Sequence, residues 1–280
     1  MQAFLNGRIV PEDQAVVPVS DRGLLYGDGL FETLGVRLGC PVWWGRHLQR
    51  LEAGAAFLQI PMPAGSAELH QWARQLISDN GLPDAVLRIL LTRGSGPRGY
   101  STQGTTSPTL VMTVHARPAP CAGVRLVTSS FRLPAVDPVA RFKTTSRLLS
   151  VLARAEAQEH GGDEALLLNH LGSVAEAAAG NLFWVEGDTL CTPPVSAGAL
   201  PGVIRSVLLE LLAEQRRPGV EKATTPEALS RAEGIFLTNS VTGILPVSML
   251  DGRPVPQSEQ TSRFQALLQE KELLAGIANP

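Results

Sequence analysis

The sequence predicts an α/β protein, and three observations lead there. Strand-like runs, alternating or rich in β-branched residues, exchange along the chain with runs of helical spacing. A proline-rich break, Ala116-Arg117-Pro118-Ala119-Pro120, divides the pattern near its middle. Hydrophobic residues make up 44% and charged residues 18% of 280, the balance of a chain able to bury a core.

The elements follow in order. Ala3 to Val10 alternates as a strand closed by an Asn6-Gly7 turn. After Tyr26-Gly27-Asp28-Gly29 comes a strand over Leu30 to Leu38. Trp44 to Leu58 has helical spacing, with Leu48, Leu51 and Ala55 on one face, and Ala67 to Ser78 forms a second helix. Strands are expected at Ala85 to Thr92 and Thr109 to His115. The break then predicts a first domain over 1–115, a linker over 116–123 and a second domain over 124–280. In the second, a strand at Val124 to Thr128 precedes a helix from Thr145 to about Glu159. Short strands follow near Ala165 to Leu168 and Asn181 to Val185, with the turn Asn169-His170-Leu171-Gly172 between them. Gly202 opens a helix to about Ala213, Ile235 to Leu237 is a buried strand, and an amphipathic helix runs from Gln260. No repeat or low-complexity tract interrupts the series.

Several function classes drop out. A net charge of -2 makes no basic field for nucleic acid or an anionic membrane. No apolar run is long enough to span a bilayer and none follows a basic start as a leader would, so a cytoplasmic protein is expected. Cys40, Cys121 and Cys191 are odd in number and far apart, which fits reduced thiols. The five histidines form no metal-ligand spacing, so no metal is expected.

Lysine is scarce: of 24 basic residues only Lys143, Lys222 and Lys271 carry an amine. Lys222 and Lys271 sit among charged neighbours and read as surface. Lys143 lies in Arg141-Phe142-Lys143-Thr144-Thr145-Ser146-Arg147, expected to face the first turn of a helix. A buried amine near cations loses affinity for its proton, which suits a Schiff base with pyridoxal 5′-phosphate (PLP). That cofactor also needs phosphate donors and a partner for its pyridine nitrogen. Glu176, followed by four small residues and an apolar strand, is a carboxylate that needs a cation. The backbone at Gly202, Val203 and Ile204 opens a helix and offers N–H groups to a phosphate. Asn239, Ser240 and Thr242 lie in a tight loop after a strand, and Arg46 opens the Trp44 helix. The glycine-rich loop from Arg93 to Thr102 carries Arg98 and Tyr100 and reads as the lining of a substrate mouth. Taken singly, each also fits an ordinary surface lysine, strand-end glutamate, turn or solvated helix.

Taken in order, these segments resemble the fold-type IV PLP enzymes, the class IV aminotransferase family. The resemblance runs from Asp21-Arg22-Gly23 and Tyr26-Gly27-Asp28-Gly29-Leu30-Phe31-Glu32, through Arg46 to Leu51, Lys143, and Glu176 with Asn181-Leu182-Phe183. It ends at Gly202-Val203-Ile204-Arg205 and Pro246-Val247. It implies two α/β domains with PLP between them, and a homodimer. Lys143 would then be the Schiff-base lysine and Glu176 the pyridine-nitrogen partner. Arg46, Gly202, Val203, Ile204, Asn239 and Ser240 would hold the phosphate.

Within the family, the Arg93–Thr102 loop, Arg147 and Asp163-Glu164-Ala165-Leu166-Leu167-Leu168 look most like the aminodeoxychorismate lyases of folate biosynthesis. Arg147 is then counted with the cofactor residues, and Arg98, Tyr100, Tyr26 and Thr242 with the substrate. Tyr26 and Glu32 match the aminotransferases at least as well, so transamination of D- or branched-chain amino acids stays open.

Overall fold

The structure is a computed structural model that describes residues 1–105, 107–119, 121–217 and 219–277. Pro120, part of the expected linker, and residues 278–280, the end of the terminal segment, lie outside the described residues. The chain forms two contact units: residues 1–118 with 142–146 and 271–280, and residues 119–141 with 147–270.

The first unit is built on an antiparallel sheet. β1 (Gln2–Leu5) and β2 (Arg8–Pro11) form a hairpin whose turn residues, Asn6 and Gly7, both have positive φ (47° and 90°). Asn-Gly adopts this turn at little cost, and its twist matches that of the strands. α1 (Arg22–Tyr26) leads to β3 (Gly29–Arg37) and the short β4 (Cys40–Pro41). α2 (Trp44–Leu58) and α3 (Ser66–Asp79) follow, then β5 (Ala85–Thr92) and β6 (Thr109–Ala116). The strand order is β2-β1-β6-β5-β3-β4. Alternate residues of β3, Leu30, Leu34 and Val36, join Leu87, Ile89, Leu91, Met112 and Val114 in one core with Leu48 and Leu51 of α2 and Leu69, Ala73 and Leu76 of α3. Each such leucine, taken out of water, contributes about 1.5–3 kcal/mol.

The second unit holds a mixed sheet. β7 (Val124–Leu133) precedes α4 (Leu148–Glu159) and β8 (Glu164–Asn169), and β7 pairs β8 in parallel with α4 as the crossover. β9 (Val174–Ala177), β10 (Asn181–Glu186) and β11 (Thr189–Thr192) follow. Next come α5 (Val203–Glu214), β12 (Gly219–Glu221), α6 (Pro226–Leu229), β13 (Gly234–Asn239), β14 (Gly243–Leu250) and β15 (Arg253–Pro254). The order is β12-β11-β10-β13-β14-β7-β8-β9, with β15 on β14. Its core includes Leu126, Leu166, Val174, Leu182, Trp184, Leu237 and Val247. α7 (Glu259–Ile277) closes the described chain. No described helix is long and apolar enough to cross a membrane.

Two boundaries differ from the sequence expectation. Residues 142–146 and the end of α7 group with the first unit, so 124–280 is not a single contact unit. The helix expected from Thr145 begins at Leu148, because Thr144 and Thr145 pair with β3 instead.

Candidate active site

Lys143 sits on a short extended rung laid along the start of β3. The Phe31 N–H donates to the Lys143 carbonyl at 2.8 Å, and the Thr145 N–H donates to the Gly29 carbonyl at 2.9 Å. Thr145 Oγ1 also donates to the Gly27 carbonyl at 2.8 Å. These bonds fix the backbone on both sides of the lysine, so its half-buried side chain starts from a set position. Lys143 Nζ lies 4.6 Å from the centre of the Phe31 ring, and Arg88 Cζ lies 4.3 Å from the same centre.

The pleat puts Glu32 on the opposite face from Phe31, in the row of Leu30, Leu34 and Val36 that α2 covers. A carboxylate 1% exposed in that row must be paired. α2 supplies the partners. Arg50 grips both oxygens, Nε to Oε1 and Nη2 to Oε2, each at 2.7 Å, and His47 Nδ1 lies 2.7 Å from Oε2. Burial alone would raise the Glu32 carboxyl, but the bonds and charges of Arg50 and His47 outweigh it and bring it down to about 2. Burial pushes the His47 imidazole below its usual range; Glu32 opposes this, while the charges of Arg50 and Lys143 add to it. Sequence reasoning did not find this cluster or Arg88; of the α2 cations it named Arg46. Arg46 is exposed, whereas Arg50, one turn on, is drawn onto Glu32.

The glycine-rich loop lies in the same unit. Arg98 is exposed and Tyr100 is 88% exposed. Tyr26 Oη accepts from the Gly99 N–H at 3.0 Å, and its ring meets Tyr100 edge-on with centroids 5.7 Å apart.

In the second unit, Glu176 stands on β9, half-buried, and its Oε2 accepts from the Leu200 N–H at 2.9 Å and from Asn181 Nδ2 at 3.4 Å. Asn181 Nδ2 also donates to the Leu200 carbonyl at 2.7 Å. The turn that follows ends at Gly202, extended (φ -69°, ψ 144°), with no side chain capping α5. A Cβ on Gly202 would fall 1.9 Å from Asn181 Oδ1, so only glycine lets the helix start here without displacing that side chain. Glu176 and Asn181 are therefore joined to the Leu200–Gly202 turn that opens the twelve-residue α5.

The Asn239–Thr242 segment is the turn between β13 and β14. Asn239 Oδ1 is occupied there, accepting from the N–H groups of Val241 and Thr242, both at 2.9 Å. Ser240 is half-buried, Thr242 is exposed, and Arg147 is half-buried as the N-cap of α4.

The family profile described as Amino-transferase class IV matches residues 29–250. The chain belongs to that family. It is 35% identical, over 97% of its length and 95% of the other, to a Methanocaldococcus jannaschii protein provisionally named a branched-chain-amino-acid aminotransferase. With the aminodeoxychorismate lyase of Vibrio harveyi it shares 32% identity over 84% of its own length and 88% of the other. The solved 4-amino-4-deoxychorismate lyase of Pseudomonas aeruginosa superposes with a TM-score of 0.85 at 36% identity, covering 96% of this chain and 98% of that one. The fold is therefore fold-type IV, and the cofactor of this class IV enzyme is PLP. The site residues fit that group. An uncapped helix start suits a phosphate, Glu176 suits a protonated ring nitrogen, and Lys143 is an amine on a fixed backbone.

Proposed function

We propose that this class IV enzyme is a lyase that converts 4-amino-4-deoxychorismate to 4-aminobenzoate and pyruvate. The observation that carries the reading is the exposed cationic loop with Arg98 and Tyr100, which suits a substrate bearing two carboxylates. The V. harveyi and P. aeruginosa lyases, similar over most of the chain, support it.

Bound PLP supplies an electron sink for negative charge developing at the substrate carbon that carries nitrogen. The protein's residues do the rest. Lys143 holds the cofactor and then, as a neutral amine, takes the proton from that carbon. The carbon–oxygen bond to the enolpyruvyl group breaks, its electrons leave on oxygen, and the ring becomes aromatic. Pyruvate is completed by a proton on its methylene carbon, which Lys143 Nζ can return. Glu176 would be the partner of the ring nitrogen. The N–H groups of Val203 and Ile204, with Ser240, would hold the phosphate. Arg50, already drawn into the protein, is a better cation for that task than Arg46. Arg98 takes a substrate carboxylate, Tyr26, Tyr100 and Thr242 donate to polar groups of the substrate, and Arg88, at the Phe31 ring, is a second cation.

The reading also makes the enzyme a cytoplasmic homodimer. Leu148, Val151 and Leu152 are exposed at helical spacing on α4, and Val16, Val19, Leu24 and Leu25 are exposed in the first unit.

A second reading, transamination, is favoured by the 35% identity to the M. jannaschii protein. One assay separates the two. The protein is incubated with chorismate, glutamine and an aminodeoxychorismate synthase, and 4-aminobenzoate is followed. Product that requires the protein and vanishes in Lys143→Ala supports the lyase. A yellow, PLP-loaded protein that gives no product, yet loses its visible absorbance on adding D-alanine or a branched-chain amino acid, is a transaminase.

A further inference from the structure

The proposed reaction gives no task to the buried charges around Arg22 in the first unit. Arg22, at the start of α1, is only 3% exposed. Its Nε donates to Asp28 Oδ2 at 2.9 Å, Nη1 to the Gly99 carbonyl at 2.8 Å and Nη2 to the Tyr100 carbonyl at 3.4 Å. The guanidinium lies 4.8 Å over the Tyr26 ring, whose hydroxyl accepts from the Gly99 N–H. Both backbone polar groups of Gly99 are thus held by two residues four apart on one short helix.

Asp28 aims the guanidinium. Burial would raise its carboxyl, but bonds from Arg93 and Arg22 hold it below the usual range, so it stays ionised. Arg93 grips the other edge of Asp28, at 2.8 and 3.0 Å, and also bonds the Leu58 and Gln59 carbonyls at the end of α2. The loop is tied at its root as well, where the Arg22 N–H donates to the Gly94 carbonyl at 2.9 Å.

Two arginines on one carboxylate, largely out of water, are a costly way to close a turn that glycine and asparagine could close alone. What they fix is the peptide between two exposed side chains, Arg98 and Tyr100. Gly99 itself has φ +104°, a conformation other residues rarely adopt, so the chain reverses there in a set direction. A fixed backbone under a solvent-facing arginine presents a cation to a ligand, since an exposed side chain adds little to stability.

We propose that Arg22 is a positioning residue: with Tyr26 it fixes the Gly99 backbone so that Arg98 meets a substrate carboxylate. The inference rests on the reading above that Arg98 binds that carboxylate, and it holds for the lyase and transaminase readings alike.

The test uses PLP-loaded wild type, Arg22→Ala, Arg22→Lys, Tyr26→Phe, Arg98→Ala and the Arg22→Ala/Arg98→Ala double variant. Aminodeoxychorismate and an α-amino acid are each offered as substrate. Arg22→Ala should raise KM about tenfold with kcat changed less than about threefold, and Arg22→Lys should fall between it and wild type. Trypsin should cut the Arg98–Gly99 bond about tenfold faster in Arg22→Ala and Tyr26→Phe, read by mass. The double variant should be no worse in KM than Arg98→Ala alone, because Arg22 acts through Arg98.

Additive effects in the double variant overturn the proposal, as does faster cleavage in Arg22→Ala with unchanged KM. If Arg98→Ala leaves KM unchanged, the Arg98 reading itself has failed. If Arg98→Ala raises KM and Arg22→Ala does not, the positioning role alone has failed. Wild type that accepts only the amino acid refutes the lyase reading while the clamp is still measured. Should Arg22→Ala not fold, Arg22→Lys, alone and combined with Arg98→Ala, carries the same comparison.

Discussion

At the scale of single residues, the buried Glu32 carboxylate makes the sharpest demand. Its folded pKa of about 2 lies below the ordinary 4.5, so its contribution to stability is complete above about pH 4.5 and is lost as pH falls toward 2. His47 is also held below its ordinary 6.5, so protonating it opposes folding from the same side. Stability measured in urea should therefore decline steadily as pH drops from 6.5 to 3, and a flat profile would contradict the pairing. Glu32→Gln leaves Arg50 without its counter-ion and should cost about 3–5 kcal/mol near neutral pH, with a shallower acid decline. Arg98→Ala, by contrast, should weaken substrate binding and leave the PLP absorbance intact, since an exposed loop arginine supports neither cofactor nor core. The sequence made Lys143 and Glu176 conspicuous through the rarity of lysine and the small residues after the glutamate. It did not reveal the Arg50–Glu32 pair, because that requires knowing that Glu32 lies under α2.

At the scale of elements, α2 was legible end to end, since Leu48, Leu51 and Ala55 repeat at helical spacing and all are buried. The start of α4 was not. Thr144 and Thr145 are compatible with a helix N-terminus, and only the unpaired edge of β3 decides that they extend instead. β9 was missed because Val174–Ala177 is short and alanine-rich, and its pairing with β8 is a long-range fact. At α5 the structure makes a prediction that composition could not. Gly202→Ala has an acceptable φ, so strain in the chain is not the issue; the new methyl would press on Asn181, which is tied to Leu200 and Glu176. The variant should fold but bind PLP at least about tenfold more weakly in titrations of the apoprotein. Unchanged affinity would remove the α5 start from the phosphate site.

At the scale of the whole molecule, the exposed apolar residues of α4 bear on assembly. The homodimer reading expects light scattering to give about twice the 29.8 kDa chain mass. Val151→Glu, on the face shared by Leu148 and Leu152, should lower it toward one chain. A wild-type protein that is monomeric at micromolar concentration would end that expectation. The α/β class was readable from periodicity and composition. Nothing in the local sequence announced that 142–146 returns to the first unit, because that pairing depends on an edge more than a hundred residues earlier.

That return bears on how the protein is made. During synthesis the Gly29–Phe31 edge stays bare after β6 has left the ribosome, and it is covered only when 142–146 emerges. The unit is completed only with the last turns of α7, where Glu272 meets Arg37. The first half of the chain to be translated is therefore the last to be finished. The segment that closes its open edge also carries Lys143, the lysine proposed above to hold the cofactor. On that proposal, a nascent chain that has not closed the edge has no placed amine to offer, and loading with PLP would double as a report that the amino-terminal sheet has matured.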